Sequence, residues 1–339
     1  MHEEELSAHV YRRIWLIALF GLAAILPAAC TSHRSSAPGT SGFRVALLTP
    51  GPVSDGGWNA AAFDGLQLIK SKLGAQTALV QTTSPADFDD AFRDFASRGF
   101  ELIFAHGFEY TDEALKVAQS FPNTIFIVSS GSAASRNVAS LTFNVDEATY
   151  IEGVLAGGVS KTGIAGAIGG VQLPSIRMTF DGFKRGFLSV RPSGRVLVSY
   201  TGNFDDVGAA KEAALAQISR GADVLIHNAD AAGLGVFEAA SQAHVYAFGA
   251  FNNQNGVAPD VVLASAVTST PLAFLKIARE VHEKRFHPGM IEFGMRDGMV
   301  SLVYNPKLES RIPAAALERA RAVQQQFIDG KLTLTEGGG

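Results

Sequence analysis

The stretch FRVALLTPGPVSDGGWNAAAFDGL, residues 43–66, reads as three consecutive pieces. FRVALLT (43–49) is an apolar run of the kind buried on both faces, and the segment after it is rich in glycine and proline. Phe63, Leu66, Ile69 and Leu73 then recur at helical spacing. A buried strand feeding a helix through a short turn is the opening unit of a parallel sheet. The same alternation continues outward. TALVQTT (77–83) precedes a helical pattern over 86–99, ELIFAHG (101–107) precedes one over 111–122 with Thr111 as its cap, and TIFIVSS (124–130) follows. A second series begins with a helix over 149–161 and the strand GIAGAIGG (163–170). Ile176, Phe180, Phe183, Phe187 and Val190 trace the next helix, and RVLVSYTG (195–202) follows it. A helix over 207–220, DVLIHNA (223–229), a helix over 233–242 and VYAFGAF (245–251) complete the series. Two such series give an α/β fold of two doubly wound, parallel-sheet lobes. Ligands of open parallel sheets sit beyond the carboxyl ends of the strands, so two lobes face to face enclose a cleft.

Composition narrows the function. The chain has 339 residues, 47% apolar and 18% charged, with a formal charge of −4 and a single cysteine. No basic stripe follows a phosphate backbone, which argues against nucleic acid as a partner. One cysteine excludes an internal disulfide and a cysteine-rich metal site. GLGVFE (233–238) ends in Glu238, where a dinucleotide fingerprint needs a small residue, and the histidines of HEKRFH (282–287) are five apart rather than four. Carboxylate pairs such as Asp89/Asp90 and Asp205/Asp206 read as solvated groups or caps. No cofactor, metal site or catalytic constellation is expected, and the chain is not read as an enzyme.

The N-terminus carries an address. Arg12 and Arg13 precede an apolar run from Ile14 to Ala29, shorter than the ~20 residues of a bilayer span, and Cys30 follows it. This resembles a lipoprotein signal cut before a lipid-modified Cys30, with Pro27 in a position where an aliphatic residue is usual. Residues 1–29 are then a signal peptide, and the Ser/Gly/Pro-rich TSHRSSAPGTSG (31–42) is a tether holding the rest outside the cytoplasm. An uncleaved anchor is the other reading.

The strand-end loops carry the polar and aromatic chemistry. Asp55, Trp58 and Asn59 follow the first strand, His106 and Phe108 the third, and Ser129 and Ser130 the fourth. In the second series His227, Asn228 and Asp230 follow one strand, and Phe251, Asn252, Asn253 and Gln254 follow another. Aromatics mixed with amides and a carboxylate suit a flat, neutral heterocycle, stacked on its faces and read along its edge. No Lys or Arg stands at these strand ends, which argues against a phosphorylated ligand. Trp58 could instead plug the sheet edge, Asp55 and Asn59 could cap the following helix, His227 could be structural, and Phe251 could pack at a hinge.

RVALLTPGPVSDGGWNAAAFDGL, GGVQLPSIRMTFDGF (169–183) and ADAAGLGVF (229–237) together resemble the basic-membrane-protein, or PnrA-like, family of ABC-transporter substrate-binding lipoproteins. The resemblance extends from Phe43 to about Tyr304. It implies the type I periplasmic-binding-protein fold, a purine or purine nucleoside as ligand, an ABC permease as partner, and a place in the cell envelope. It also implies that Trp58 stacks on the base while Asn59 bonds its edge. Where the family has a ribose-binding aspartate this chain has Phe251, where it has a lysine this chain has Thr268, and Ser129 or Ser130 replaces an acid. A carboxylate on a diol and its neighbouring cation make charge-assisted hydrogen bonds, so losing both favours a nucleobase over a nucleoside. The implied lobes are 43–143 plus 268–289 and 144–267 plus 290–306, hinged around 143–147 and 266–270, with a C-terminal helix and tail over 307–339. A sensing module of the same fold without transport is the alternative.

Overall fold

The computed structural model describes residues 42–54 and 57–334; the expected leader and tether up to residue 41, Cys30, Asp55 and residues 335–339 lie outside these. Val45 and Leu47 of β1 (Arg44–Thr49) pack into one core cluster, and Ala46 and Leu48 into another on the opposite face. A strand apolar on both faces must be covered on both faces, which parallel sheets achieve with crossover helices. β1 pairs in parallel with β2 (Gln76–Gln81) and β3 (Leu102–Ala105), and β4 (Ile125–Ser129) and β5 (Val138–Phe143) extend the sheet beyond β3. The helix α1 (Trp58–Leu73) covers one side through Ala62, Leu66 and Ile69. On the other side lie α2 (Pro85–Ser97), through Phe88, Phe92 and Phe95, and α3 (Thr111–Ala118). Thr111 is the first residue of α3 rather than its cap, its hydroxyl donating to the Phe108 carbonyl at 2.7 Å.

The chain crosses to a second sheet through α4 (Val145–Val159). β6 (Ile164–Gly169), α5 (Pro174–Val190), β7 (Arg195–Tyr200), α6 (Val207–Ser219), β8 (Val224–Asn228), α7 (Gly233–Ala243), β9 (Tyr246–Phe251) and β10 (Val262–Thr268) build it. It then returns through α8 (Thr270–His282), which packs on α1 and stacks Phe274 on Phe104 of β3 at 4.0 Å. β11 (Met290–Phe293) pairs in parallel with β5, so it belongs to the first sheet, not to the second lobe in which residues 290–306 were expected as a block. Four residues of mixed burial carry no period by which to place such a strand. A third crossing over 294–299 leads to β12 (Val300–Tyr304), antiparallel to β10, and α9 (Ala314–Ile328) closes the chain against α4. The crossings are tied together. Asn144 N–H donates to Phe293 O at 2.8 Å, Ser269 N–H to Met299 O at 2.8 Å, and Met295 N–H to a Glu147 carboxylate oxygen at 2.6 Å.

One buried group sets a pH dependence. Glu152 on α4 is fully buried, both carboxyl oxygens lack a well-formed hydrogen bond among the described residues, and burial pushes its pKa well above the usual range. The Ala266 amide pulls the other way, but burial dominates. A carboxyl raised on folding contributes stability below its unfolded pKa and loses it as pH rises towards the folded value. Relative to Glu152→Gln, the native protein is therefore expected to lose up to about 1.4 kcal/mol per pH unit above about pH 4.5. Thermal melts of both proteins between pH 4 and 7.5 check this, and parallel melting-temperature curves would refute it.

Candidate functional site

The sheets run β2-β1-β3-β4-β5-β11 and β7-β6-β8-β9-β10-β12, so both lobes use the doubly wound order 2-1-3-4-5. In that order the winding reverses between the first and third strands, and the loops leaving those two strands part to form a crevice. The crevices of the two lobes open on one cavity of about 490 Å3. Pro50, Trp58, Phe108 and Glu109 line it from the first lobe; Leu173, Ile176, Phe204, Asn228, Asp230 and Phe251 line it from the second.

Trp58 is locked before any ligand meets it. The His106 ring stacks on the indole at 4.0 Å with 21° between planes, and indole Nε1–H reaches the His106 carbonyl at 3.4 Å. His106 Nε2 donates to the Trp58 carbonyl at 3.0 Å, which leaves Nδ1 to accept from the Ser129 hydroxyl at 2.9 Å. Phe274 meets the imidazole edge-on at 5.7 Å. Phe251 of the second lobe meets Trp58 edge-on at 5.6 Å and 73°.

Of the residues singled out in the sequence, Trp58, Asn59, Phe108, Ser130, Asn228, Asp230 and Phe251 line the cavity, and Asp55 lies outside the described residues. The others stand elsewhere. His106 and Ser129 are wholly buried behind Trp58, as support for its ring. His227 is buried in the second sheet; its Nε2–H donates at 2.9 Å to Gln254 Oε1, which also accepts from Ala250 N–H, and burial lowers its pKa to about 4. Asn252 and Thr268 open on a separate hollow between α1 and the start of α8, and the Thr268 hydroxyl reaches the Phe251 carbonyl at 3.5 Å. Asn59 lies within the first turn of α1, with Gly57 rather than Asn59 at the cap position.

Sequence reasoning missed Glu109, Asp205, Leu173 and Phe204 as lining residues. The signal for two of them was positional: Glu109 follows β3 and Leu173 follows β6 within a few residues, at strand ends that form the crevices. Asp206 does cap α6, accepting from Ala209 N–H at 2.9 Å, but its neighbour Asp205 faces the cavity.

Two properties of the lining decide its chemistry. Charge is one-sided: Glu109, Asp205 and Asp230 contribute carboxylates, and no Lys, Arg or His lines the cavity among the described residues. Burial raises the Glu109 carboxyl above its ordinary range. Such a wall repels phosphates and accepts neutral, donor-bearing rings. Backbone strain is also concentrated here. Ser130 (φ 57°), Asp230 (φ 48°) and Phe251 (φ 63°) adopt left-handed backbone at the ends of β4, β8 and β9, each beside the cavity. Such conformations cost of order 1–3 kcal/mol and persist where the surroundings dictate them, as at binding sites. Among the described residues no group of three or more His, Cys, Asp or Glu side chains is placed to hold a metal ion.

Known proteins carry the same frame. A solute-binding protein of an ABC transporter system from Aeropyrum pernix K1 superposes with a TM-score of 0.78 at 20% identity, covering 88% of this chain and 94% of its own. A purine-binding protein of Brucella abortus is 29% identical over 76% of this chain and 74% of its own length. The ABC transporter nucleoside-binding protein BmpA of Lactococcus lactis is 28% identical over 95% of this chain and 99% of its own. The family profile of PnrA-like ABC transporter substrate-binding proteins matches residues 43–330, nearly the whole of the two-lobed unit. With its type I periplasmic-binding fold and a ligand-sized cleft at both switch points, the chain belongs to the PnrA-like family of ABC transporter substrate-binding proteins.

Proposed function

We propose that this protein captures a purine-type ligand outside the cytoplasm for an ABC permease, held to the membrane by lipid on Cys30, and that it prefers nucleobases to nucleosides. The observation that carries the reading is the lining of the cavity: a braced indole, four phenylalanine rings and no cation among the described residues. Purine and nucleoside binding in the relatives from Brucella and Lactococcus points to the same ligand class. The preference for a base rests on two positions. Phe251 puts a ring into the cavity where the resemblance calls for a ribose-binding aspartate, and Thr268, in place of the lysine, faces the separate hollow.

Calorimetric titration of the full-length protein in detergent with adenine, hypoxanthine, guanine and their ribonucleosides tests this. The bases are expected to bind at least about 10-fold more tightly, the worth of about one net hydrogen bond. Tighter binding of the nucleosides would overturn the preference and transfer the sugar to Glu109 or Asp205, and Glu109→Gln or Asp205→Asn respectively would then abolish that role. Silence with all six would remove the purine assignment. The intact mass of the same preparation reports the lipid, and an unmodified Cys30 in the mature protein would refute the anchor.

A further inference from the structure

Helix α1 begins at Trp58, where its first backbone N–H groups have no partner within the helix and the helix dipole is positive. An acceptor comes from the other lobe: Asp230, 172 residues away in the chain, accepts from Trp58 N–H through Oδ1 at 3.4 Å. Two features are shaped for this contact. The residue before Trp58 is Gly57, and a Cβ built there would overlap Asp230 Oδ1, so only glycine lets the carboxylate approach the helix end. Asp230 itself is held in left-handed backbone just beyond β8, on the edge of the second lobe that faces α1. The edge-on contact of Phe251 with Trp58 is the second link between the lobes at this point.

We propose that Asp230 is a positioning residue rather than a ligand contact: its carboxylate latches the second lobe onto the N-terminus of α1, holding the cleft closed and Trp58 in its stacking pose. This rests on the cavity being the ligand site, yet its first consequence needs no ligand. Breaking the latch lowers the population of the closed form, and the apparent affinity falls by the same fraction. A charge at a partly buried helix N-terminus is worth enough to change affinity roughly 3- to 30-fold.

The chain has two tryptophans, so Trp15→Phe in the full-length protein leaves Trp58 as the sole emitter. In that background, acrylamide quenching and the emission maximum of Trp58 are recorded without ligand for Asp230→Ala, Asp230→Asn, Gly57→Ala and the Asp230→Ala/Gly57→Ala double variant. Asp230→Ala and Gly57→Ala are each expected to red-shift the emission and increase quenching. The double variant should go no further, because both changes break one contact. Asp230→Asn should fall between, its amide oxygen still accepting but without the charge. Affinity for the tightest-binding member of the purine panel should drop in the same order. Unchanged Trp58 emission and quenching in Asp230→Ala would overturn the latch, and a loss of affinity alongside that result would make Asp230 a direct ligand contact. If Gly57→Ala fails to fold, the two Asp230 variants decide the matter alone. If no purine binds, the fluorescence still tests the latch while the ligand assignment falls separately.

Discussion

Gly186→Val is expected to cost about 3 kcal/mol or more of stability and to lower the melting temperature by about 6–12 °C. α4 and α5 make the most extensive helix–helix contact of the fold, and they meet backbone to backbone. A Cβ on Gly186 would fall inside the contact radius of the Tyr150 carbonyl oxygen, and one on Gly153 inside that of the Phe183 carbonyl oxygen. Neither obstacle is a side chain that can swing aside. Relief requires the helices to separate, which opens the packing around Phe183 and Phe187, both fully buried. Interiors at crystal-like density do not absorb such a shift cheaply. The effect reaches the site as well, because Val145 at the start of α4 lines the cavity. Gly289→Ala is the control: a Cβ there meets nothing within 4 Å, and its melt should match the native protein within about 1 °C. A Gly186→Val melt as close to native as that control would show that the α4–α5 crossing tolerates bulk.

Much of this frame was legible because parallel strands are apolar on both faces and their crossovers are short. FRVALLT, TIFIVSS and DVLIHNA each became an interior strand with no end shifted by more than one residue. The strand order then places the cavity before any side chain is considered. What resisted reading was the direction of polar side chains at those strand ends. His106 and Phe108 are two residues apart and looked alike as pocket candidates, yet His106 is wholly buried while Phe108 is 46% exposed. The difference is tertiary: the indole of Trp58, arriving from the start of α1, covers the imidazole. His227 is a similar case, drawn inward by Gln254, a partner 27 residues away. Asp205 and Asp206 show the converse, since adjacent carboxylates can be split by one turn into a helix cap and a cavity group. β11 was misplaced because its register is set by β5, and nothing within its own four residues indicates which lobe it joins.

Trp58→Ala is expected to weaken binding of the preferred purine about 50-fold, within the 1–3 kcal/mol that stacking a base on an aromatic ring contributes. Most of this loss should appear because the indole is already paid for in entropy: His106 stacks on it, the His106 carbonyl receives its N–H, and Phe251 abuts its edge. A side chain held in one pose loses little freedom when a ligand arrives, so its contact energy passes almost undiminished into affinity. Trp58→Phe keeps a stacking face and gives up the indole N–H bond, so binding should remain within about 5-fold of the native protein. The same calorimetric titration measures both variants. A thermal melt separates binding from folding: Trp58 is only partly buried, and truncating it should move the melting temperature by no more than a few °C. An affinity equal for Trp58→Ala and the native protein would mean that the ligand rests on Phe108 or Phe251 instead, and that Trp58 belongs to the outer wall of the cleft. A large loss in Trp58→Ala with recovery in Trp58→Phe is the result that only a stacked ring explains, because a merely structural tryptophan would make both variants fail in the melt before either failed in the titration.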